Sequence, residues 1–334
     1  MNSAAHWRRD GTAVVCELCP HACRLADGQR GRCGVRQATP DGLVSLNDGV
    51  LAAAADDPVE KKPFYHFLPG SRIFSVAAPG CNFTCRQCQN YHLSDDPRRD
   101  GVIGRRVAAA QVVAAAEHAG CPAVAYTYSE PTVWFEFMLA MARAARARGL
   151  RNAVVSNAYI SPAAQAELLP LLDAANYDLK SFGDDTYRTV YGGTLAPVLA
   201  TITAAVRAGV WVEVTTLVIP GINDSDGELR DIACWLADLS PEVPWHLSAF
   251  FPTHRLTDRE ATPAATLTRA RAIGRAAGLR FVYTGNIRDD EGGTTYCPGC
   301  GAAVITRDGF RVTACRLREG RCAACGGVLA GRWR

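Results

Sequence analysis

Between residues 71 and 283, short runs rich in β-branched and aromatic residues alternate with alanine-rich stretches of helical length. The runs predict strands over 71–78 (SRIFSVAA), 123–128 (AVAYTY), 152–156, 177–180, 211–219, 245–251 and 280–283. Helices are predicted between them over 108–118, 133–148, 162–172, 197–208, 226–239 and 264–277. Gly120, Gly149, Gly209 and Gly278 stand where a helix C-terminus wants a left-handed residue. Strands alternating with helices build a parallel sheet with helical crossovers. Six or more such units favour a barrel, whole or partial, over a flat sheet. The expected fold is therefore α/β, a partial (β/α)6 TIM-like barrel, with its chemistry at the C-terminal strand ends.

The two flanks lack this alternation. Residues 1–60 carry cysteine and glycine, and residues 291–334 carry two CxxC knuckles with no helix-length apolar period. The expected division is a Cys-rich N-terminal extension over 1–60, a core barrel over 61–290 and a small C-terminal zinc-ribbon or rubredoxin-like module over 291–334. With 48% apolar and 21% charged residues, the chain is neither disordered nor fibrous. A net charge of +3, with no aromatic-basic face, gives no strong nucleic-acid signal. There is no apolar run of about 18 residues to span a membrane, and the polar start has no secretory h-region. The expected location is the cytoplasm.

In a reducing compartment, clustered cysteines are more often metal ligands or redox groups than disulfides. Fourteen are present, and eleven of them fall into three groups. Cys81, Cys85 and Cys88 form a C-x3-C-x2-C trio directly after the first predicted strand. Thiolates suit iron–sulfur clusters. Three on one short loop can hold three irons and leave a fourth open to a substrate or cofactor. Cys297, Cys300, Cys322 and Cys325 form two knuckles 21 residues apart, each followed by a glycine, Gly301 and Gly326. That spacing suits a closed tetrahedral site, zinc ahead of a rubredoxin-like iron. Cys16, Cys19, Cys23 and Cys33 are compatible with either a second iron–sulfur cluster or zinc, and Arg24, Arg30, Arg32 and Arg36 lie nearby to offset thiolate charge.

The trio, at this place, resembles that of the radical SAM superfamily. The segments PVEKKPFYHFLPGS and PGCNFTCRQCQN, the opening CELCPHACRLADGQRGRCGVR and the ending GRCAACGGVLAGRW are similar to the group called the AmmeMemoRadiSam system radical SAM enzyme. That group is itself similar to pyruvate formate-lyase activating enzymes. The resemblance implies a [4Fe-4S] cluster on Cys81, Cys85 and Cys88 whose open iron binds S-adenosylmethionine. Reductive cleavage would give a 5′-deoxyadenosyl radical that abstracts hydrogen from an unidentified small-molecule or protein substrate. It also implies an electron donor such as ferredoxin or flavodoxin, with Memo-like and AMMECR-type proteins as companions.

Carried over residue by residue, the resemblance gives Glu130 to the methionine ammonium, Asp178 to ribose hydroxyls, Lys180 to the methionine carboxylate and His254 to the cofactor. Gln87 and Gln89, flanking the third cysteine, belong with the cofactor-binding residues. Three departures stand out. Gln87 replaces the usual aromatic residue beside the adenine, Tyr128 and Ser129 replace the glycines before Glu130, and Ala158 replaces the glycine after Asn157. Alternative readings are activation of a glycyl-radical protein, and an iron–sulfur electron carrier or sensor that binds no S-adenosylmethionine.

Overall fold

The computed structural model describes residues 2–334. Its centre is one eight-stranded sheet whose strands lie in chain order. These are β1 (Ala53–Pro58), β2 (Arg72–Ala77), β3 (Ala123–Tyr126), β4 (Arg151–Ser156), β5 (Ala174–Asp178), β6 (Trp211–Val218), β7 (Trp245–Ala249) and β8 (Val282–Gly285). From β2 to β8 every pairing is parallel, and β1 joins β2 antiparallel at one edge. The expected parallel sheet is present, with seven parallel strands. The unexpected element is β1, whose sequence AAADDP has little strand propensity. It sits at an edge, where Pro58 disrupts no central ladder.

The crossovers carry α1 (Ala109–His118), α2 (Phe135–Ala147), α3 (Pro162–Leu168), α4 (Leu195–Arg207), α5 (Asp226–Leu239) and α6 (Ala264–Ala276). Serines cap two of them. Ser161 Oγ accepts from Ala164 N and Ser225 Oγ accepts from Glu228 N. The helix predicted over 162–172 stops at Leu168 and continues as a 3-10 turn, Leu169–Leu171. Pro170 has no N–H to extend an α-helical ladder.

Strand alternation gives the sheet two faces. Val124, Tyr126, Val154, Tyr177, Val214 and Leu247 face the helices in the main core. On the other face, the N-terminal half of the strands presents small residues, Ala123, Ala125, Ala153 and Ala174. Small side chains leave room there, and Val59, Phe64, Phe67 and Leu68 fill it. Glu213 fixes this plug from β6: it accepts from the backbone N–H of Tyr65 at 3.0 Å and of His66 at 2.8 Å. The C-terminal half of the same face is left open, and the cavity described below occupies it.

Both flanks pack on this frame. The N-terminal residues form small antiparallel sheets and meet α2 through Arg36 Nη2, 2.8 Å from Glu136 Oε1. Near the C-terminus, Ala303–Asp308 pairs with Thr295–Tyr296 and Arg311–Cys315. This module buries Val304 and Ile305 against Tyr65, Phe281 and Tyr283. Arg307 Nη2 donates to Tyr65 O at 2.8 Å, and its Nε lies 3.6 Å from the buried Glu60 carboxylate. Among the described residues, no single helix is long and apolar enough to cross a membrane.

Candidate active site

The chain leaves β2 through Pro79 and Gly80. Gly80 has φ +111°, and a Cβ there would stand 2.8 Å from Val35, so the turn requires glycine. The following loop, 81–90, is held from several sides. Thr84 N donates to Tyr191 O at 2.9 Å. Arg98 Nη2 donates to Cys81 O at 2.6 Å and Phe83 O at 2.7 Å. Asn82 Nδ2 donates to Tyr159 O at 2.7 Å, and Phe83 is buried between Tyr159 and Tyr187. A loop pinned this way presents Cys81, Cys85 and Cys88 together to a cavity of about 440 Å³ at the C-terminal ends of the strands.

Glu130 follows β3. It caps the 3-10 turn Pro131–Trp134, accepting from Thr132 N at 2.9 Å. Its Oε1 also accepts from Thr132 Oγ1 and Ser156 Oγ, and its Oε2 accepts from Asn157 N at 2.9 Å. The carboxylate therefore ties the ends of β3 and β4 together while lining the cavity. Tyr128 (φ +66°) and Ala158 (φ +60°) keep the left-handed backbone that glycine would adopt without cost. For a residue with a Cβ this costs roughly 1–2 kcal/mol. Tyr128 is held by its hydroxyl, which donates to Asp57 Oδ2 at 2.5 Å, and by Asn90 Nδ2, which donates to its carbonyl. Ala158 N donates to Ser156 Oγ at 3.1 Å.

At the end of β5, Lys180 Nζ lies 2.8 Å from Asp178 Oδ2. The backbone of Lys180 is clamped by Tyr187 Oη, which accepts from its N–H, and by Asn223 Nδ2, which donates to its carbonyl. Burial opposes the charge on Lys180, but Asp178 and Cys85 outweigh it and hold the ammonium well above its ordinary range. The metal-free thiols behave oppositely. Burial, then the Glu130 carboxylate, push Cys81 far up, and burial pushes Cys85 up to about 12. Thiolates at these positions need a cation among them, as metal ligation supplies.

The structure brings Gln87, Gln89, Glu130, Asp178 and Lys180 to the same cavity as the three cysteines. It does not bring His254 there. The loop after β7 turns at His254 (φ +52°), whose ring stacks on Tyr91 with centroids 4.6 Å apart and lies 3.6 Å from Asp95. Lys61, Lys62, Thr215, Ser248 and Asn286 also line the cavity; the two lysines lie in the segment PVEKKPFYHFLPGS, and nothing in the local sequence marks the other three. Gln87 bears on whether a nucleotide cofactor fits. It is buried, and its Oε1 has no hydrogen-bond partner, as suits an acceptor awaiting the amino group of a base. Three converging thiols, an unpaired amide oxygen and a carboxylate–ammonium pair fit a cluster with an amino-acid nucleotide.

Near the C-terminus, the Sγ atoms of Cys297, Cys300, Cys322 and Cys325 all lie within 4.8 Å of one another. Cys297 and Cys325 are 3.6 Å apart, and Cys300 and Cys322 are 3.8 Å apart. Ala324 N and Gly327 N point at the sulfurs of Cys322 and Cys325. This quartet is able to hold a metal ion. No three of Cys16, Cys19, Cys23 and Cys33 come together so tightly among the described residues.

Residues 75–233 match the radical SAM superfamily. Over 320 residues, 95% of both chains, the sequence is 40% identical to the uncharacterized protein MJ0808 of Methanocaldococcus jannaschii. The chain belongs to the radical SAM superfamily. It is also 32% identical over 156 residues to the isethionate sulfite-lyase activating enzyme of Nitratidesulfovibrio vulgaris, covering 43% of this chain and 50% of that enzyme. Streptococcus suis SuiB, solved with its precursor peptide SuiA, shares the fold at a TM-score of 0.51 and 15% identity, covering 69% of this chain and 52% of that one. Cluster binding and S-adenosylmethionine cleavage are general to the radical SAM superfamily, and the cysteine trio and cavity described above suit both.

Proposed function

We propose that this protein is a radical SAM enzyme that binds a [4Fe-4S] cluster on Cys81, Cys85 and Cys88 and uses S-adenosylmethionine to abstract hydrogen from a substrate. The observation that carries this reading is the cavity itself, where the three cysteines share one lining with Gln87, Glu130, Asp178 and Lys180. When bound, the cluster and the sulfonium nucleotide supply a 5′-deoxyadenosyl radical by one-electron cleavage of a carbon–sulfur bond. The protein supplies orientation and exclusion of water. Glu130 Oε2, which among the described residues accepts only from Asn157 N, offers a lone pair to the methionine ammonium. Lys180 offers its cation to the methionine carboxylate, Asp178 accepts from ribose hydroxyls, and Gln87 Oε1 accepts from the adenine amino group.

A one-electron donor of the ferredoxin or flavodoxin type belongs to this reading, as do Memo-like and AMMECR-type companions from the AmmeMemoRadiSam resemblance. Zinc is proposed at the C-terminal quartet. A Zn–S distance near 2.3 Å makes a tetrahedral S···S edge about 3.8 Å, close to the two separations found. The test is anaerobic reconstitution, reduction and chromatography of the products of S-adenosylmethionine. Release of 5′-deoxyadenosine is expected, and its absence from cluster-loaded protein rejects the proposal.

A second reading, activation of a glycyl-radical protein, is favoured by the similarity to an isethionate sulfite-lyase activating enzyme. A glycyl doublet in the electron paramagnetic resonance spectrum of a candidate partner, appearing only with S-adenosylmethionine, distinguishes it from small-molecule chemistry.

A further inference from the structure

The N-terminal cysteines take no part in the cavity. Cys16 ends the strand Ala13–Cys16, and its N–H donates to Cys23 O at 2.9 Å, closing a short loop that carries Cys19. Gly31 N donates to Arg36 O at 2.8 Å and folds Cys33 back toward that loop. A Cβ on Gly31 would stand 3.7 Å from Cys23 Sγ and 3.8 Å from Cys33 Sγ. Cys16 and Cys33 are buried, and Cys19 and Cys23 are half-buried. Four thiols thus converge on one enclosed region. No three of their sulfurs lie within 4.8 Å of one another, whereas the C-terminal quartet meets that limit. A single tetrahedral ion draws its ligands to short mutual edges. A cluster, with inorganic sulfide between its metals, holds its cysteines farther apart.

A second observation comes from Arg36, which is 1% exposed. Its Nη2 donates to Ala5 O at 2.6 Å and Glu136 Oε1 at 2.8 Å. Its Nε and Nη1 are buried with no acceptor, an arrangement native proteins avoid unless a partner is missing from view. The Arg36 carbonyl accepts from Gly31 N, on the turn that also brings Cys23 Sγ and Cys33 Sγ close. Two unpaired donors on a buried cation, three residues beyond Cys33 in the chain, are complementary to an electron-rich, sulfur-surfaced anion.

We propose that Cys16, Cys19, Cys23 and Cys33 ligate a second, fully coordinated [4Fe-4S] cluster, and that Arg36 donates its free Nε–H and Nη1–H to that cluster's sulfurs. This site abuts the Cys81 loop. His21 Nε2 lies 2.8 Å from Asn82 O. Arg98 donates both to Arg32 O and to Cys81 O, and a Gly80 Cβ would stand 3.2 Å from Cys33 O. The two clusters are therefore neighbours, and their reduced spins interact.

The proposal is tested on the full chain carrying Cys81→Ala, Cys85→Ala and Cys88→Ala together, so that it is independent of the function proposed above. After anaerobic reconstitution this variant retains about four irons and four acid-labile sulfides per chain, and wild type holds about twice as much. Adding Cys19→Ser and Cys23→Ser removes them. Loss of all iron and sulfide from the triple variant, with size-exclusion behaviour and C-terminal metal unchanged, overturns the proposal. A second zinc per chain in place of the iron does so equally. Should the triple variant not fold, the comparison of wild type with Cys19→Ser/Cys23→Ser decides: half of the iron is lost, or none is.

The role of Arg36 has its own readout. Replacing the buried pair by Arg36→Gln with Glu136→Gln keeps that contact neutral and removes the cation. The reduction potential of the second cluster then falls, because the more negative reduced state loses a donor. An unchanged potential at full iron content removes Arg36 from the assignment.

Discussion

Asn157 Nδ2 donates to Asn82 Oδ1 at 2.8 Å, joining the end of β4 to the cysteine loop. The same side chain accepts from Tyr159 N at 3.0 Å, and its Nδ2 lies 3.9 Å from Cys81 Sγ. Both asparagines are buried. Asn157→Ala leaves Asn82 Oδ1 unsatisfied, at a cost of about 1–3 kcal/mol. The expected result is a lower midpoint of thermal unfolding and faster loss of iron from the Cys81 site under a chelator. Asn157→Asp keeps the acceptor for Tyr159 N, yet it loses the donor and brings negative charge toward the cluster sulfur. It therefore loses iron at least as fast as the alanine variant. Iron retention against time checks both.

The carbonyl and N–H of Lys180 carry its structural contacts, and its ammonium, paired with Asp178, lines the cavity. Lys180→Met should leave iron content unchanged and weaken S-adenosylmethionine binding about tenfold, or about 1.4 kcal/mol. Lys180→Arg, which keeps the charge with a wider head group, should fall between. Anaerobic equilibrium dialysis measures both. A Lys180→Met variant that binds as wild type does would place the methionine carboxylate elsewhere.

His66 makes stability depend on pH away from the cavity. Its Nδ1 bonds Ala330 O at 2.7 Å, and its Nε2 bonds Tyr283 Oη at 2.6 Å. Burial disfavours the imidazolium and lowers the histidine from 6.5 to about 4. As pH falls below 6.5, the unfolded chain takes up a proton that the folded chain refuses. Stability is full above pH 6.5 and declines toward pH 4, by up to about 3 kcal/mol. Glu213 is opposed by burial, yet its bond from His246 dominates and holds it below its ordinary 4.5. Its contribution is present above pH 4.5 and disappears only as the pH falls below that. Urea unfolding between pH 7.5 and 5, with metal content followed in parallel, should show a slope that His66→Gln flattens.

The parts of this molecule that a linear reading recovers are those with local periodicity or tight spacing. Helices capped by Gly120, Gly149 and Gly209, the seven parallel strands and the Cys81 trio all fall in that class. β1 escaped because AAADDP joins the sheet through its partner and not through its own propensity. Lys61 and Lys62 reach the cavity only because the plug around Phe64 and Phe67 folds back under the sheet. His254 illustrates the opposite limit. Its neighbours Tyr91 and Asp95 are distant in sequence, and they decide where its ring goes. Arg36 and Glu136, one hundred residues apart, likewise pair only in three dimensions.

The C-terminal quartet bears on the stability of its own module. That module is small, and its buried residues include two of the quartet, Cys297 and Cys322, packed with Val304, Ile305 and Leu329. Arg307, buried against Tyr65 and Glu60, ties it to the central sheet, as do Ala330 and Arg332, which bond His66 and Leu68. Where so little apolar core is available, metal binding becomes folding free energy. Cys300→Ser should therefore lose the metal and open the 291–334 region to proteolysis while the eight-stranded sheet persists. Once the module lifts away, Arg307 no longer faces Glu60, and the buried carboxylate is left without its cation. The sheet domain should then lose stability as well, and Glu60→Gln should restore part of that loss in the Cys300→Ser background but not in wild type. Limited proteolysis followed by mass spectrometry, with urea unfolding of the three variants, separates the two effects.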